Sequence, residues 1–217
     1  MDILFEDKDI IVLIKPAGVL SQPDEKGGES LVSLLNAYLE GKGEEGAVHV
    51  IHRLDKNVGG VMVYAKNSFA ASKLSQGVQS GEMIKEYLAA VHSEPTEKSG
   101  YMEDLLFFDL RKNKSFVVKR ERKGVKKAKL YYETVKTQNT SFGEASLMKI
   151  RLYTGRTHQI RVQFSSRKMP LIGDRRYGGN DKREIALWSY RLTLCHPRTD
   201  EAMVFERLNC FDDIFGL

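Results

Sequence analysis

An aspartate at the start of a predicted turn is the strongest candidate for chemistry in this sequence. Asp55 follows the apolar Leu54, and the next residues, Lys56-Asn57 and Gly59-Gly60, are typical of a turn. A carboxylate placed in this way can act as a nucleophile without a cofactor, provided that it stays ionised. A nearby guanidinium would keep it ionised by lowering its pKa. We take Arg161 as the candidate for that partner.

Two short apolar runs flank Asp55 and predict the strands that position it. Residues 48–54 and 61–65 are rich in β-branched and other apolar side chains, so we expect a strand, an exposed turn and a second strand. Side chains two positions apart in an extended chain share a face. Arg53 and Asp55 are therefore expected to act in one cleft. From this local pattern alone, an aspartate that merely opens a turn is the alternative interpretation.

The composition indicates a globular protein with a modest basic excess. The 217 residues are 41% hydrophobic and 29% charged, with a net charge of +5. This length suits one domain over residues 1–217. No apolar run approaches the roughly 18 residues of a membrane span, and the N-terminus lacks the features of a signal peptide. Cys195 and Cys210 form no Cys-x-x-Cys pair, so we interpret them as reduced thiols in a cytoplasmic protein.

Many short strands and few helices predict an α+β fold, with a central, mostly antiparallel mixed sheet, flanking helices and a basic catalytic cleft. Helices are predicted over residues 31–39 and 67–79, and a third from Thr157-His158 onward. The strands are predicted at residues 3–5, 10–14, 84–91, 130–135, 146–152, 185–194 and 203–205.

The strongest charge feature is the segment 111–129, which contains ten Lys or Arg residues and a single acid, Glu121. This excess is greater than solubility requires, and each phosphate that it neutralised would add to a salt-dependent affinity. Lys126, Lys127 and Phe116 lie in the segment, and Tyr131-Tyr132 follow it, so a base could stack on these rings. The pattern favours nucleic-acid contact over a merely solvated hairpin.

Other site types have little support. His49, His52 and His158 lack the spacing of a known zinc motif, and no cysteine pair or acid cluster accompanies them, so we expect no metal. There is no phosphate-binding loop and no Gly-x-Ser-x-Gly elbow. Hydrolases, kinases and dehydrogenases of the usual kinds are therefore disfavoured, and no cofactor is expected.

Three motifs, taken in order, resemble those of the RluA-type RNA pseudouridine synthases. They are His52-Arg-Leu-Asp55, Lys85-Glu-Tyr87 and Thr154-Gly-Arg-Thr-His-Gln-Ile-Arg161. The opening segment Lys15-Pro-Ala-Gly18 and the later segment Pro170-Leu-Ile-Gly-Asp174 resemble further parts of the family pattern, so the resemblance covers nearly the whole chain. Ordered motifs at sensible spacing are far more specific than any one of them.

The resemblance implies a role for each matching residue. Asp55 would be the nucleophile that starts to break the glycosidic bond of uridine, and Arg161 would pair with it. Tyr87 would stack on the target base and take part in proton transfer. Arg53 would help to hold the target nucleotide out of its stack, and Leu171 would pack near the base.

The resemblance also implies how the protein meets its substrate. Arg156 and His158 would contact the RNA, together with Lys126 and Lys127 of the basic segment. Many relatives carry an N-terminal S4 RNA-binding domain, whereas here the catalytic domain begins at Ile3, so recognition is expected to come from the domain itself. The family default is a monomer, and the target is ribosomal RNA or tRNA.

Two alternatives come from other functional classes. A non-catalytic RNA-binding or RNA-folding module on the same scaffold is favoured only by Val58-Gly59, where family members commonly have Thr-Ser. A hydrolase using a pair of acids would need a second carboxylate opposite Asp55, and the sequence identifies none.

Overall fold

The computed structural model describes residues 1–25, 27–44, 46–141, 143–179, 182–209 and 211–215. Its contacts divide the chain into two compact units, Met1–Lys85 with Ser189–Leu208, and Glu86–Trp188 with Asn209–Leu217. The elements in chain order are β1 (Asp2–Glu6), β2 (Ile10–Lys15), α1 (Leu31–Gly41), β3 (His49–Val50), β4 (Gly59–Ala65), α2 (Ser68–Ser80), β5 (Ile84–His92), β6 (Ser99–Asp109), β7 (Lys114–Val118), β8 (Val125–Thr140), β9 (Gly143–Leu152), α3 (Gln159–Ser166), β10 (Leu187–Cys195), β11 (Ala202–Glu206) and α4 (Asp212–Phe215). The prediction of one domain over residues 1–217 stays a prediction.

The first unit is built around two strands whose side chains are almost all buried. Its strand order is β1-β2-β4-β10, with β3 added to β4 and β11 added to β10. The pairs β1–β2, β2–β4, β3–β4 and β10–β11 are antiparallel. Residues 10–13 of β2 and all of β4 are buried, as continuous apolar runs predict for strands covered on both faces. Strands β2, β4 and β10 share one core with Ala70 and Leu74 of α2.

Both long helices of the first unit begin beside a polar side chain that caps the first turn. Ser30 Oγ accepts the backbone N–H of Ser33 at 3.2 Å, and α1 begins at Leu31, directly after Ser30. Asn67 Oδ1 accepts the N–H of Ala70 at 2.9 Å at the start of α2. Each side chain thus satisfies a backbone donor that the first turn of a helix leaves without a partner.

The second unit is a sheet of mostly long strands with α3 packed against it. Its strand order is β5-β9-β8-β6-β7, and the pairs β8–β9, β6–β8 and β6–β7 are antiparallel. Leu106 of β6 and Ala128 of β8 pack against Val162 of α3 and Tyr177 in one buried cluster. Strands and helices in these two units confirm the α+β fold.

The strand predicted before Asp55, over residues 48–54, is wrong beyond Val50. Strands β6 and β7 were not predicted. Strand β3 is only His49–Val50, and the chain then leaves the sheet. Strands β6 and β7 have no clear apolar alternation, but β6 lies between β7 and β8 and pairs with both. The basic segment 111–129 therefore consists of β7, the start of β8 and the turns beside them.

In the part of the chain that the structure describes, every helix is too short or too polar to span a lipid bilayer. Cys195 is a free, exposed thiol, whereas Cys210 lies outside the described residues.

Candidate active site

The segment that carries Asp55 is held by side chains where strand pairing stops. Ser21 Oγ donates to the carbonyl of Leu54 at 2.9 Å and accepts its N–H at 3.1 Å. One hydroxyl thus satisfies both backbone groups of Leu54, so this residue needs no partner strand. His52 and Leu54 are buried, Arg53 is exposed and Asp55 is half-buried. This alternation turns Arg53 and Asp55 to the open side, as their spacing predicts.

The turn after Asp55 is fixed by the opening Lys-Pro-Ala-Gly motif. The carbonyl of Asp55 accepts the N–H of Val58 at 3.0 Å, which closes the turn. The carbonyl of Lys56 accepts two hydrogen bonds at 2.9 Å, from the N–H of Gly18 and from Lys15 Nζ. The backbone beside Asp55 is therefore clamped from a segment about forty positions earlier in the chain, and this clamp limits how far the carboxylate can move.

Lys15 is a buried charge that the sequence reasoning noted only as part of a motif. Its side chain is fully buried at the end of β2, where Nζ also donates to the carbonyl of Pro16 at 2.9 Å. Burial lowers the pKa of Lys15 to about 8, and the negative charge of Asp55 opposes that shift. Lys15 is thus a cation placed to interact with Asp55 electrostatically. In the sequence, the signal for this buried charge is a lysine at the end of an otherwise apolar strand.

His52 is a buried, uncharged member of the same motif. Its Nε2 accepts the N–H of Val63 at 3.3 Å, so the ring proton belongs on Nδ1, which has no hydrogen-bond partner among the described residues. Burial, and to a smaller extent the charge of Lys85, lower the pKa of His52 to about 3. The ring therefore replaces a strand partner for β4 and stays neutral at physiological pH.

This burial predicts a loss of stability in weak acid. The ordinary pKa of His52 is 6.5, and the folded value is about 3. Between these values the unfolded chain binds a proton that the folded chain does not, so stability falls as the pH falls from 6.5 towards 3. His52→Gln keeps an acceptor for Val63 but does not titrate. From pH 7 to pH 5, we expect the wild type to lose about 2 kcal/mol more unfolding free energy than the variant.

Urea unfolding at the two pH values measures this difference. The other histidines are common to both proteins and cancel in the comparison. An equal loss in the wild type and His52→Gln would contradict the prediction.

Arg161 in the second unit is held by Asp174, the last residue of the segment Pro170-Leu-Ile-Gly-Asp174, for which the sequence indicated no role. Its Nε and Nη2 donate to the two carboxylate oxygens of Asp174 at 2.7 and 2.8 Å. Asp174 is buried, and the guanidinium also lies 5.1 Å from the centre of the Tyr177 ring. A two-pronged ion pair of this kind fixes both the position and the plane of the guanidinium. The pairing of Arg161 with Asp55 stays a prediction.

The loop before α3 is fastened to β8 by a buried amide. Gln159 Nε2 donates to the carbonyl of Lys129 at 3.1 Å, and its Oε1 accepts from Thr154 Oγ1 at 2.7 Å and from the N–H of Arg156 at 3.0 Å. Arg156 Nε donates to the carbonyl of Lys127 at 2.9 Å. The motif from Thr154 to Arg161 is therefore positioned by the same strand that carries the exposed Lys126 and Lys127.

His158 stands at the start of α3 in a left-handed conformation, with a φ of 55°. Its Nδ1 lies 2.9 Å from the hydroxyl of Tyr177, which accepts the N–H of Ser115 at 2.7 Å. Because that oxygen already accepts one hydrogen bond, its own hydrogen is available for Nδ1. These hydrogen bonds connect β7, the loop after α3 and the predicted substrate contact His158.

Tyr87 and Leu171 are both buried in the second unit. Tyr87 lies on β5, and Leu171 forms an isolated bridge to Val91 of the same strand. The backbone around Leu171 is tied to β5, since the N–H of Ile172 donates to the carbonyl of Ala90 at 2.9 Å. The strand thus positions both residues, while their contacts with a target base stay predictions.

The first unit also contains a group of potential metal ligands. Ligand atoms of Asp7, Asp9 and His196 lie within 4.8 Å of one another. Asp9 is engaged by both prongs of Arg198 at 2.6 Å, which lowers the pKa of Asp9 to about 2. His196 Nε2 lies 2.9 Å from Asp7 Oδ2. The Arg198 guanidinium already supplies a positive charge to Asp9. We therefore interpret Asp7, Asp9 and His196 as part of a structural hydrogen-bond network.

The family model described as RNA pseudouridylate synthase matches residues 9–166, which include Asp55, Tyr87 and Arg161. The chain belongs to this family. As an RNA pseudouridylate synthase it is an isomerase that acts on RNA, with an RluA-type catalytic domain.

Relatives of this RNA pseudouridylate synthase match it over most of its length. The uncharacterized RNA pseudouridine synthase YhcT of Bacillus subtilis is 32% identical over 209 residues, which are 95% of this chain and 68% of that protein. The ribosomal large subunit pseudouridine synthase D of Borreliella burgdorferi is 33% identical over 202 residues, 88% of this chain and 60% of that protein.

A solved structure supports the fold of this RNA pseudouridylate synthase. Human RNA pseudouridylate synthase domain containing 1 aligns with a TM-score of 0.78 at 21% identity, covering 97% of this chain and 84% of that chain.

The predicted site residues of the synthase are divided between the two units. Arg53 and Asp55 lie in the first unit beside the buried Lys15. The second unit holds the others, namely Tyr87, Lys126, Lys127, Arg156, His158, Arg161 and Leu171. Sequence reasoning missed Lys15 as a charge and Asp174 as the partner of Arg161, because both identities depend on folding.

Proposed function

We propose that this synthase isomerises uridines in ribosomal RNA, with Asp55 as the nucleophile. The observation that carries this proposal is the clamped turn, which holds a half-buried carboxylate beside the buried Lys15 ammonium. A carboxylate needs no activating base to act as a nucleophile, and the buried Lys15 ammonium places an opposite charge near it. The choice of ribosomal RNA is supported by relatives named as ribosomal large subunit pseudouridine synthases.

The proposed reaction is a rearrangement within uridine. Asp55 attacks the ribose C1′ and forms an ester bond as the bond between C1′ and N1 breaks. The base then turns, and C5 bonds to C1′ as the ester bond breaks and frees the Asp55 carboxylate. The hydrogen on C5 leaves to water and N1 gains a proton, so atoms and electrons balance without a redox partner. Tyr87 stacks on the base and assists proton transfer, and Arg161 is proposed as the partner of Asp55, as the family resemblance implies.

The remaining predicted residues hold the substrate. We propose that Arg53 stabilises the flipped nucleotide, that Leu171 packs near the base and that Arg156 and His158 contact the RNA. We further propose that the protein is a monomer, which is the family default, and that it acts in the cytoplasm without a metal ion.

Tritium release from RNA labelled at uridine C5 tests the reaction and its target. Unmodified ribosomal RNA and unmodified tRNA are assayed separately. We expect release from ribosomal RNA. Release from tRNA alone would refute the proposed target, and release from neither pool would refute the proposed reaction.

Lys126 and Lys127 are expected to contribute to RNA affinity through phosphate contacts. Both are exposed, and the ion pair of Lys127 with Glu121 is 3.6 Å long with both side chains largely in solvent, so it does not compete strongly. Replacing both lysines with glutamine should weaken binding and lower the slope of log affinity against log salt by about two.

The matched control replaces the exposed Lys8 and Lys73 of the first unit with glutamine. It changes the net charge equally but lies outside the basic segment. Filter binding over a salt series distinguishes the two variants. If both lower the slope to the same degree, the effect is one of net charge and the contact prediction fails.

A further inference from the structure

Three tyrosines form an exposed cluster on one face of the second unit. The rings of Tyr101 and Tyr131 have centroids 5.1 Å apart, and those of Tyr101 and Tyr153 are 6.0 Å apart. Tyr101 is 58% exposed and Tyr153 is 46% exposed. Lone exposed aromatic residues are common, but contacting rings in solvent form a patch that packing does not require. We call these three residues the tyrosine face.

Strand register explains why the cluster forms. Tyr101 of β6 is directly opposite Tyr131 of β8, which is in turn opposite Arg151 of β9. Successive side chains of a strand alternate between faces, so the neighbours Met102 and Leu130 are buried on the other side, against the core. The core is thus complete without the tyrosine face.

Cations lie over the rings. Lys129 Nζ is 4.7 Å from the centre of the Tyr101 ring and 5.8 Å from that of Tyr153. The guanidinium of Arg151 is 5.2 Å from the Tyr153 ring. Glu103 pairs with Lys129 at 2.7 Å, but both side chains are well exposed, so RNA phosphate can compete for this lysine.

The tyrosine face is continuous with segments already linked to RNA. Tyr153 directly precedes the Thr154–Arg161 motif, and its N–H donates to the carbonyl of Lys129 at 3.1 Å. Further along β6 and β8, an open groove of about 430 Å³ is lined by residues of the basic segment and Leu105. Among them are Arg122 and Lys127. Rings and cations therefore follow one another along a single face.

We propose that the tyrosine face is a second contact surface for the RNA substrate, on which bases of an unpaired stretch stack. Exposed rings interleaved with Lys and Arg are what single-stranded RNA requires, since each base has a flat face and each nucleotide a negative phosphate. A protein partner would favour a drier, less charged patch. The inference rests on the proposed function only in taking RNA as the substrate, because stacking here needs no chemistry at Asp55.

Photo-crosslinking tests the contact directly in the full chain. Single-stranded RNA containing 5-iodouridine is irradiated with the wild-type protein, and the crosslinked residues are mapped by mass spectrometry. We expect adducts on Tyr101, Tyr131 or Tyr153. Adducts confined to residues outside the tyrosine face would overturn the proposal.

Substitution tests the role of the rings. The double variant Tyr101→Ser with Tyr153→Ser should bind this RNA at least about tenfold more weakly. Tyr101→Phe with Tyr153→Phe keeps both rings and should bind within about threefold of wild type. The control Phe69→Ser removes a ring of the first unit that is also about half exposed and has Arg198 5.1 Å from its centre; it should not change RNA affinity.

The results of these two experiments distinguish base stacking from a structural or dimer-forming role of the tyrosines. Unchanged affinity in the serine variant overturns the proposal, as does an equal loss in the phenylalanine variant. In size-exclusion chromatography, a dimer of the wild type that the serine variant dissolves would assign the face to a second copy and also overturn the proposal. Crosslinks without tritium release would refute the proposed function alone, whereas release without these crosslinks would refute the tyrosine face alone.

Discussion

Replacing Asp55 with asparagine is expected to lower the rate of tritium release from ribosomal RNA by on the order of 10⁴-fold or more. Asparagine has nearly the same shape, but its neutral amide cannot attack the sugar. RNA affinity should change by less than about threefold, because the two lysines and the tyrosine face that we propose as RNA contacts are untouched. A loss of rate without a loss of affinity would identify Asp55 as the nucleophile rather than a structural turn residue.

The clamped turn predicts that the variant still folds. The hydrogen bonds that close the turn use the backbone of Asp55 and Lys56, and asparagine leaves them in place. Without the carboxylate charge, the pKa of Lys15 should fall further, because Asp55 is what raises it against burial.

Asp200→Asn serves as the matched control, since it makes the same chemical change at an exposed position of the first unit. It should release tritium at the wild-type rate. Wild-type release by Asp55→Asn would contradict the assignment, whereas loss in both variants would point to a general effect on the protein.

Replacing Gly60 with alanine is expected to cost about 3–4 kcal/mol of unfolding free energy. Gly60 has a φ of +125°, and an added Cβ would lie 2.2 Å from the carbonyl oxygen and 2.6 Å from the nitrogen of Ser189. These are backbone atoms of β10, beside β4 in the sheet, so no side-chain rotation can relieve the clash. On the other side, Gly60 is paired with Lys15.

Gly18→Ala is the control for the backbone conformation. Its φ is +88°, and no atom lies within 4 Å of an added Cβ, so only the conformational strain of about 1 kcal/mol is expected. The difference between the two variants in urea unfolding measures the clash. Equal losses would mean that β10 moves aside at little cost. Since Gly60 also follows the turn of Asp55, a surviving variant should be less active.

Local patterns were enough to predict much of the first unit. The apolar runs of β2 and β4 and the patterns of the helices α1 and α2 are properties of short segments, so the sequence shows them directly. The ordered motifs, with Asp55 in the first of them, likewise identified the family and its chemistry. In each case neighbouring residues carry the signal.

Other features depend on partners far away in the chain. Beyond the end of β3, the Ser21 hydroxyl takes the place of a strand partner for Leu54. Strand β6 is a strand because β7 and β8 bond to it. Neither fact is visible in a local pattern, since a hydrogen bond has two ends and the sequence near one end does not name the other.

The same reason applies to the site. The sequence determined that Asp55, Tyr87 and Arg161 are present and in the family's order. Only the tertiary structure decided that Lys15 is a buried cation beside Asp55 and that Asp174 holds Arg161. It also brought Tyr101, Tyr131 and Tyr153 onto one exposed face. Burial sets the charge state of a side chain and strand register sets its neighbours, and both are determined only when distant segments pack together.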